Sequence, residues 1–323
     1  MITCSVGAEC LQRITDVSPE IKLLDASDLA AAEERGDSAS REQYDSVLAQ
    51  AEVVCGFIPP KNVIDRTPKL KWIHSMLAGV DRFLDVSITQ SQVVLSNTRG
   101  IHGTQVSELV FEMMLMFAKE ALLCFQLKQK KQWKKFIPVC LSSKTIGILG
   151  LGNIGLEIAR LAKAFGMKVL AIDETRGLRR SRYVDTMVST DQLQQLLGES
   201  DFVVIALPLT PKTNKFIGER ELRAMKSTAY LINCARGGIV DEEALIRALD
   251  EHWIAGTGLD TFTTEPLPPE SRLWELPNVI LSPHVAGIRE DYNILATDLF
   301  CENLRRYLNR EKLLNIVDKQ KGY

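Results

Sequence analysis

Short apolar runs alternate with amphipathic stretches from the start of the chain. Residues 2–6, 21–24, 53–58, 70–74 and 93–96 have the length and composition of strands, and helical periodicity fills the intervals between them. Strands alternating with helices predict a parallel α/β layer. Residues 104–127 break this rhythm, being rich in Val, Leu, Met and Phe, too long for a strand and apolar around much of a helix's circumference. A deeply buried helix is expected there, of the kind that joins domains or subunits. A second alternating series follows, with strands expected at 145–149, 168–172, 202–206, 229–233, 256–259 and 279–282, and helices at 154–165 and 241–250. The final helical segment, 291–309, lies beyond that series and is expected to return to the first domain. No internal repeat, low-complexity tract or Pro/Gly-rich linker interrupts the pattern.

Two series suggest two domains, and the length agrees: 323 residues exceed the ~250 at which single cores tend to stop growing. Hydrophobic residues at 46%, charged residues at 25% and a net charge of -2 describe a soluble globular protein with no electrostatic case for nucleic acid. The lysine-rich stretch 128–135 around Trp133 has no matching basic face elsewhere, so it reads as a solvated connector and not as an anion patch. The first residues show no basic segment followed by an apolar stretch, and no apolar run approaches the ~20 residues that cross a bilayer. A cytoplasmic protein without membrane contact is expected. Seven scattered cysteines with no CxxC pair fit free thiols in a reducing compartment, and no metal site is expected.

The second series opens on the sequence's strongest local signal. In Thr145-Ile-Gly-Ile-Leu-Gly150-Leu-Gly152-Asn-Ile-Gly155 a strand runs into a glycine-rich turn and then a helix. Gly150 permits the tight turn, Gly152 lets a pyrophosphate approach the backbone and Gly155 allows close helix packing, while the N–H groups at the helix start face the phosphates. Asp173 ends the next expected strand, where a carboxylate can hold both ribose hydroxyls of NAD. Asp173 and Glu174 would repel the extra phosphate of NADP, so NAD is preferred; Arg176, Arg179 and Arg180 keep NADP open.

Three polar residues fall at the ends of later strands, where ligands of open α/β sheets bind. Arg236 follows AYLINCA and precedes Gly237 and Gly238; its planar, two-pronged guanidinium suits a carboxylate. Glu265 precedes Pro266, and His284 follows Pro283 in SPHVAG, so both sit on stiffened backbone. An imidazole exchanges protons with a hydroxyl near neutral pH, and an adjacent carboxylate favours its charged form. Singly, each residue has a bland explanation as a loop charge or a core histidine; together, behind a dinucleotide turn, they suggest catalysis. His74 and His102, near the presumed cleft, are open to substrate contact, although structural roles suit them better, and His252 occupies a helix end.

GILGLGNIG, LPLTPKTNKFIG, NCARGGIVDEEAL, GLDTFTTEPLP and SPHVAG occur in this order, and the stretch that carries them closely resembles the D-isomer-specific 2-hydroxyacid dehydrogenases. SMLAGVDRF resembles that family's substrate loop, and NTRGIHGTQVSE the entrance to its interdomain helix. The resemblance implies two Rossmann-like or flavodoxin-like doubly wound domains with parallel sheets. A cofactor domain, 100–288, would be inserted into a discontinuous substrate domain, 1–99 and 289–323. It implies hydride transfer between NAD(H) and C2 of a small 2-hydroxy or 2-oxo acid with D-stereospecificity. Arg236 would bind the substrate carboxylate and polarise the carbonyl, Glu265 would pair with His284, and His284 would shuttle the proton. Asp260 would sit by the nicotinamide amide, Asn153 and Ile154 at the pyrophosphate, and Leu207 and Pro208 near the adenosine. Cys234, Ala235, Arg236, His284 and Gly287 would line the nicotinamide half. Ala78 and Gly79 would offer backbone N–H groups to the substrate carboxylate, and a homodimer would form through the cofactor domain. Three rivals share the scaffold. Formate dehydrogenase typically carries Gln where this chain has Glu265, phosphite oxidation is not separable by these residues, and NAD-sensing corepressors retain the catalytic trio but carry extended tails.

Overall fold

The computed structural model describes residues 1–37, 39–174 and 181–323 and divides the chain into two compact units, Met1–Ile101 with Arg289–Tyr323, and His102–Ile288. Both are α/β with parallel sheets, which is the class read from the alternation.

The first unit holds β1 (Val53–Gly56), β2 (Trp72–Ser75) and β3 (Val94–Asn97), paired in that order. Every residue of β2 is buried, as a strand covered on both faces must be. Residues 2–6 and 21–24 do not form strands. Ile2 makes only isolated bridges, to Asp25 and Cys55, because the chain soon turns through Gly7 at φ +88 into the helix Ala8–Thr15. The last helix, Tyr292–Leu308, belongs to this unit, and its Ala296, Phe300 and Cys301 share a core with Cys10, Ile14 and Trp72.

Among the described residues the second unit has seven parallel strands: β4 (Thr145–Leu149), β5 (Lys168–Ile172), β6 (Thr186–Met187), β7 (Phe202–Ile205), β8 (Tyr230–Asn233), β9 (Gly256–Leu259) and β10 (Val279–Leu281). Their spatial order is β10-β9-β8-β7-β4-β5-β6, so the chain starts in the middle, winds to one edge and then to the other. One apolar cluster built on Leu196, Leu197, Val203 and Leu231 covers one face, and another with Met113, Ile148, Ile158 and Ile232 covers the opposite face. Only β6 went unread in the sequence, because a two-residue strand carries no periodicity.

Residues 104–127 do not form one helix. Gly103–Ala118 is buried along Val106, Val110, Met113, Met114 and Phe117, but Glu120 then adopts φ +55 and a second helix, Ala121–Gln129, buries no residue at all. In a continuous helix the Ala118 carbonyl would accept from Leu122; here it accepts the Val139 N–H at 2.8 Å, and Lys119 Nζ donates to the Val139 carbonyl at 2.8 Å. A tertiary pairing thus overrides the helix-forming Ala-Lys-Glu sequence.

Candidate active site

The glycine-rich turn lies at the carboxyl end of β4 beside β7, where the strand order reverses and ligands of such sheets bind. Gly150 has φ +98, and a Cβ there would stand 2.7 Å from the Ala206 carbonyl oxygen and 3.1 Å from Leu207 Cδ2. A Cβ on Gly155 would stand 2.0 Å from the Gly150 oxygen, so only glycine lets the helix Asn153–Ala164 start against the strand end. Among the described residues, no heavy atom lies within 4 Å of the Cβ position of Gly152, the exposed N-cap, and no side chain caps the helix. Asn153 and Ile154, in the first turn, therefore leave their amides for an anion. Asp173, after β5, accepts the Leu151 N–H on Oδ2 at 2.7 Å, which ties its carboxylate to the turn. Leu207 is half-buried beside Gly150, while the exposed Pro208 accepts Thr213 Oγ1 on its carbonyl at 2.6 Å. An open cradle, an uncapped helix start and a strand-end carboxylate together fit a dinucleotide. Arg176, Arg179 and Arg180 lie outside the described residues.

The later strands deliver the polar residues. Asn233, buried at the end of β8, donates Nδ2 to the Arg236 carbonyl at 2.9 Å and accepts the Ala235 N–H at 3.1 Å, folding residues 234–236 into a tight turn. Arg236 is half-buried, with Nη1 donating to the Ala235 carbonyl at 2.8 Å. Burial, and secondarily the nearby Asp260, pushes the Cys234 thiol up, so it is an un-ionised wall and not a nucleophile. A Cβ on Gly237 would fall 2.0 Å from the Phe262 carbonyl carbon, so the turns after β8 and β9 are in direct contact.

Glu265 and His284 meet. Glu265 Oε2 lies 2.7 Å from His284 Nδ1, while Oε1 accepts the Phe262 N–H at 3.0 Å. A carboxylate only accepts, so Nδ1 carries a proton and Nε2 is left to exchange one with a ligand. The His284 side chain is 44% and that of Glu265 32% exposed, which leaves them within reach of a substrate. His284 has φ +55, a left-handed conformation that few non-glycine residues adopt. Asp260, fully buried just after β9, accepts Ser282 Oγ at 2.6 Å, the Val285 N–H at 2.9 Å and the Ala286 N–H at 3.0 Å. Gly287 accepts Gln105 Nε2 on its carbonyl at 3.4 Å.

Ala78 and Gly79 belong to the first unit, half-buried in the bend after β2, with the Ala78 carbonyl accepting Asn97 Nδ2 at 2.6 Å. His74 is not placed for substrate contact. It is fully buried in β2, between Trp72 and Phe300, with Nδ1 2.8 Å from Ser96 Oγ. Since Ser96 Oγ accepts from Trp72 Nε1, its own proton is free to go to His74, which suits a neutral imidazole. His102 is buried at the start of Gly103–Ala118, with Cδ2 3.1 Å from the Cβ position of Gly287, and His252 is exposed just past the helix Glu242–Asp250. Sequence reading missed Asn233, Ser282 and the N–H groups of Leu151 and Phe262. The first two close a strand and open SPHVAG, but main-chain donors leave no mark in a sequence. Among the described residues no His/Cys/Asp/Glu group suits a metal ion, and no helix is long and apolar enough to cross a membrane.

Comparison with known proteins identifies the family. The sequence profile described as D-isomer specific 2-hydroxyacid dehydrogenase, NAD binding domain, matches residues 111–286, more than half of the chain. A glyoxylate reductase of Korarchaeum cryptofilum is 34% identical over 264 residues, covering 80% of this chain and 79% of its own. The NADPH-dependent glyoxylate/hydroxypyruvate reductase of Sinorhizobium meliloti, solved with NADP and sulfate, superposes with a TM-score of 0.84 at 27% identity, covering 100% of this chain and 98% of that one. A D-isomer specific 2-hydroxyacid dehydrogenase of Xanthobacter autotrophicus Py2, solved with NADPH and MES, gives 0.79 at 30% identity over 85% and 86% of the two chains. The chain belongs to the D-isomer specific 2-hydroxyacid dehydrogenase family, and its residues 111–286 are that family's NAD binding domain.

Proposed function

We propose that the protein reduces a small 2-oxo acid to the D-2-hydroxy acid at the expense of a reduced nicotinamide dinucleotide, and catalyses the reverse oxidation. The observation that carries this reading is the 2.7 Å pairing of Glu265 with His284 at the strand ends of a dinucleotide-type sheet. The unit His102–Ile288 is taken as the cofactor domain, and the unit Met1–Ile101 with Arg289–Tyr323 as the substrate domain.

The dinucleotide would rest on Gly150, Gly152, Asn153, Ile154 and Gly155, with Asp173 at its ribose, Leu207 and Pro208 at the adenosine side, and Cys234, Ala235 and Gly287 along the nicotinamide half. When bound in reduced form it supplies a hydride for C2 of the substrate. Arg236 holds the substrate carboxylate through paired, charge-assisted N–H bonds and stabilises the negative charge that grows on the C2 oxygen. His284 gives that oxygen its Nε2 proton. Glu265, bonded at Nδ1, keeps the ring in the required tautomer and balances its positive charge in the acid form. Ala78 and Gly79 are proposed as further N–H donors to the carboxylate; their support is the likeness of SMLAGVDRF to the family's substrate loop. Oxidation runs through the same contacts reversed.

The names of the relatives favour glyoxylate and hydroxypyruvate among small 2-oxo acids. Asp173 favours NAD over NADP, against which stand the NADP and NADPH held by the two solved relatives. A panel of 2-oxo acids offered with NADH and with NADPH, followed at the nicotinamide absorbance, decides both matters. We expect rapid turnover of the smallest acids and a lower KM for NADH than for NADPH. No turnover of any 2-oxo acid rejects the activity, and the opposite cofactor order rejects the role given to Asp173.

A homodimer formed through the second unit is also proposed. Its support is a largely apolar groove along Gly103–Ala118, lined by Phe111, Leu115, Met116, Leu161 and Phe165, on a unit that also exposes Phe125, Trp133 and Ile137. Light scattering at low concentration should give twice the 36.1 kDa of one chain. Seven unpaired cysteines support a cytoplasmic, reducing location.

A further inference from the structure

The turn that carries His284 is held from a single buried point. Its Ser282 hydroxyl and its Val285 and Ala286 N–H groups all converge on the carboxylate of Asp260, two on Oδ1 and one on Oδ2, at 2.6–3.0 Å. Asp260 is fully buried, so these donors replace water for it, and it replaces water for them. The donors flank His284 on both sides, and His284 itself sits at φ +55. A side chain there persists only where its surroundings enforce it. Two residues beyond Asp260, the Phe262 N–H holds Glu265 Oε1 at 3.0 Å, while the backbone of Phe262 packs against Gly237 beside Arg236. The segment leaving β9 therefore fixes the histidine turn at Asp260 and the histidine's partner at Phe262, setting the two in register.

We propose that Asp260 is a positioning residue: its carboxylate gathers the turn 282–286 and so holds the imidazole of His284 in its reactive orientation against Glu265. This role is separate from the nicotinamide contact that family resemblance implies for it: the three donors that the carboxylate accepts all come from the histidine turn. The proposal rests on His284 being the acid/base, and its own consequences are separable from that reading.

Asp260→Asn is the main test. A carboxamide keeps the size but turns one acceptor into a donor facing an N–H, which breaks the cluster. Displacement of a reacting group by about 1 Å costs on the order of a hundredfold in rate, so kcat should fall by about 10–100-fold. NADH affinity, measured by fluorescence titration, should stay within about threefold, since on this proposal the carboxylate serves the histidine turn. Ser282→Ala should lower kcat by a smaller factor, Ser282→Thr should restore it by keeping the hydroxyl, and Ser282→Ala added to Asp260→Asn should cost little more, because both act through one cluster. The Ser282 pair also tests the idea if Asp260→Asn does not fold. NADH affinity weakened tenfold or more in Asp260→Asn with kcat unchanged would overturn the proposal in favour of a cofactor contact. Full kcat in both single variants, or independent additive losses, would overturn it as well. If His284→Ala itself keeps normal turnover, the acid/base reading fails; if His284→Ala is inactive while Asp260→Asn is fully active, only the present proposal fails.

Discussion

Glu265 uses its two carboxylate oxygens separately, Oε1 on the Phe262 N–H and Oε2 on His284 Nδ1. Glu265→Gln keeps the volume, yet its amide has one acceptor and one donor end, so one of the two contacts turns into opposed N–H groups. Loss of a charge-assisted hydrogen bond corresponds to about 1.5–3 kcal/mol, and kcat for 2-oxo acid reduction should fall by about 10–100-fold with little change in NADH binding. Steady-state kinetics with fluorescence titration of NADH would check this; unchanged kcat would mean that the 2.7 Å pair plays no part in turnover. The pairing of Glu265 with His284 was legible in the sequence because both carry distinctive side chains next to Pro. Their supports were not. Asn233 and Ser282 are common polar residues, and the Leu151 and Phe262 contacts are main-chain groups that any residue supplies.

At the scale of elements, the turn after β4 depends on backbone lying where a side chain would. With the Gly155 Cβ position 2.0 Å from the Gly150 oxygen, Gly155→Ala forces the helix Asn153–Ala164 away from the strand. Overpacking of this kind costs about 1–3 kcal/mol, and the shift also displaces the helix-start amides proposed to hold the pyrophosphate. The variant should lose thermal stability and bind NADH at least tenfold more weakly, as read by calorimetry and fluorescence. Wild-type affinity would remove the turn from the cofactor site. The strands of this unit were legible because each is short, apolar and covered on both faces. The break after Ala118 was not, since a carbonyl captured by Val139, distant in sequence, leaves no trace in a local pattern of good helix formers. Residues 2–6 and 21–24 are apolar like strands, but Ile2 alone pairs with a neighbour, and how far a ladder extends depends on where the partner chain runs.

For the whole molecule, stability should depend on pH through His74. Burial pushes its imidazole from 6.5 down to about 3. Above pH 6.5 it is neutral folded or unfolded and contributes no pH dependence. Between 6.5 and about 3 the unfolded chain takes up a proton that the folded protein refuses, so stability falls as the pH falls, by up to about 1.4 kcal/mol per pH unit. From pH 7 to 5 the folded state should lose about 2 kcal/mol more than in His74→Asn, which has nothing to titrate, as measured by denaturant unfolding at both values. Parallel losses would show that His74 is already neutral when unfolded or is solvated when folded. Family membership was legible in the ordered motifs; the burial of His74 was not, because an imidazole within a strand reads alike whether it faces a cleft or a core.

The central claim is that His284, held at Nδ1 by Glu265, transfers the proton during 2-oxo acid reduction. The most direct measurement is the turnover of His284→Ala with NADH and the best 2-oxo acid, beside fluorescence titration of NADH. The claim predicts a kcat lower by about 10²–10⁴-fold with NADH binding essentially unchanged; turnover close to that of the unaltered protein would contradict it.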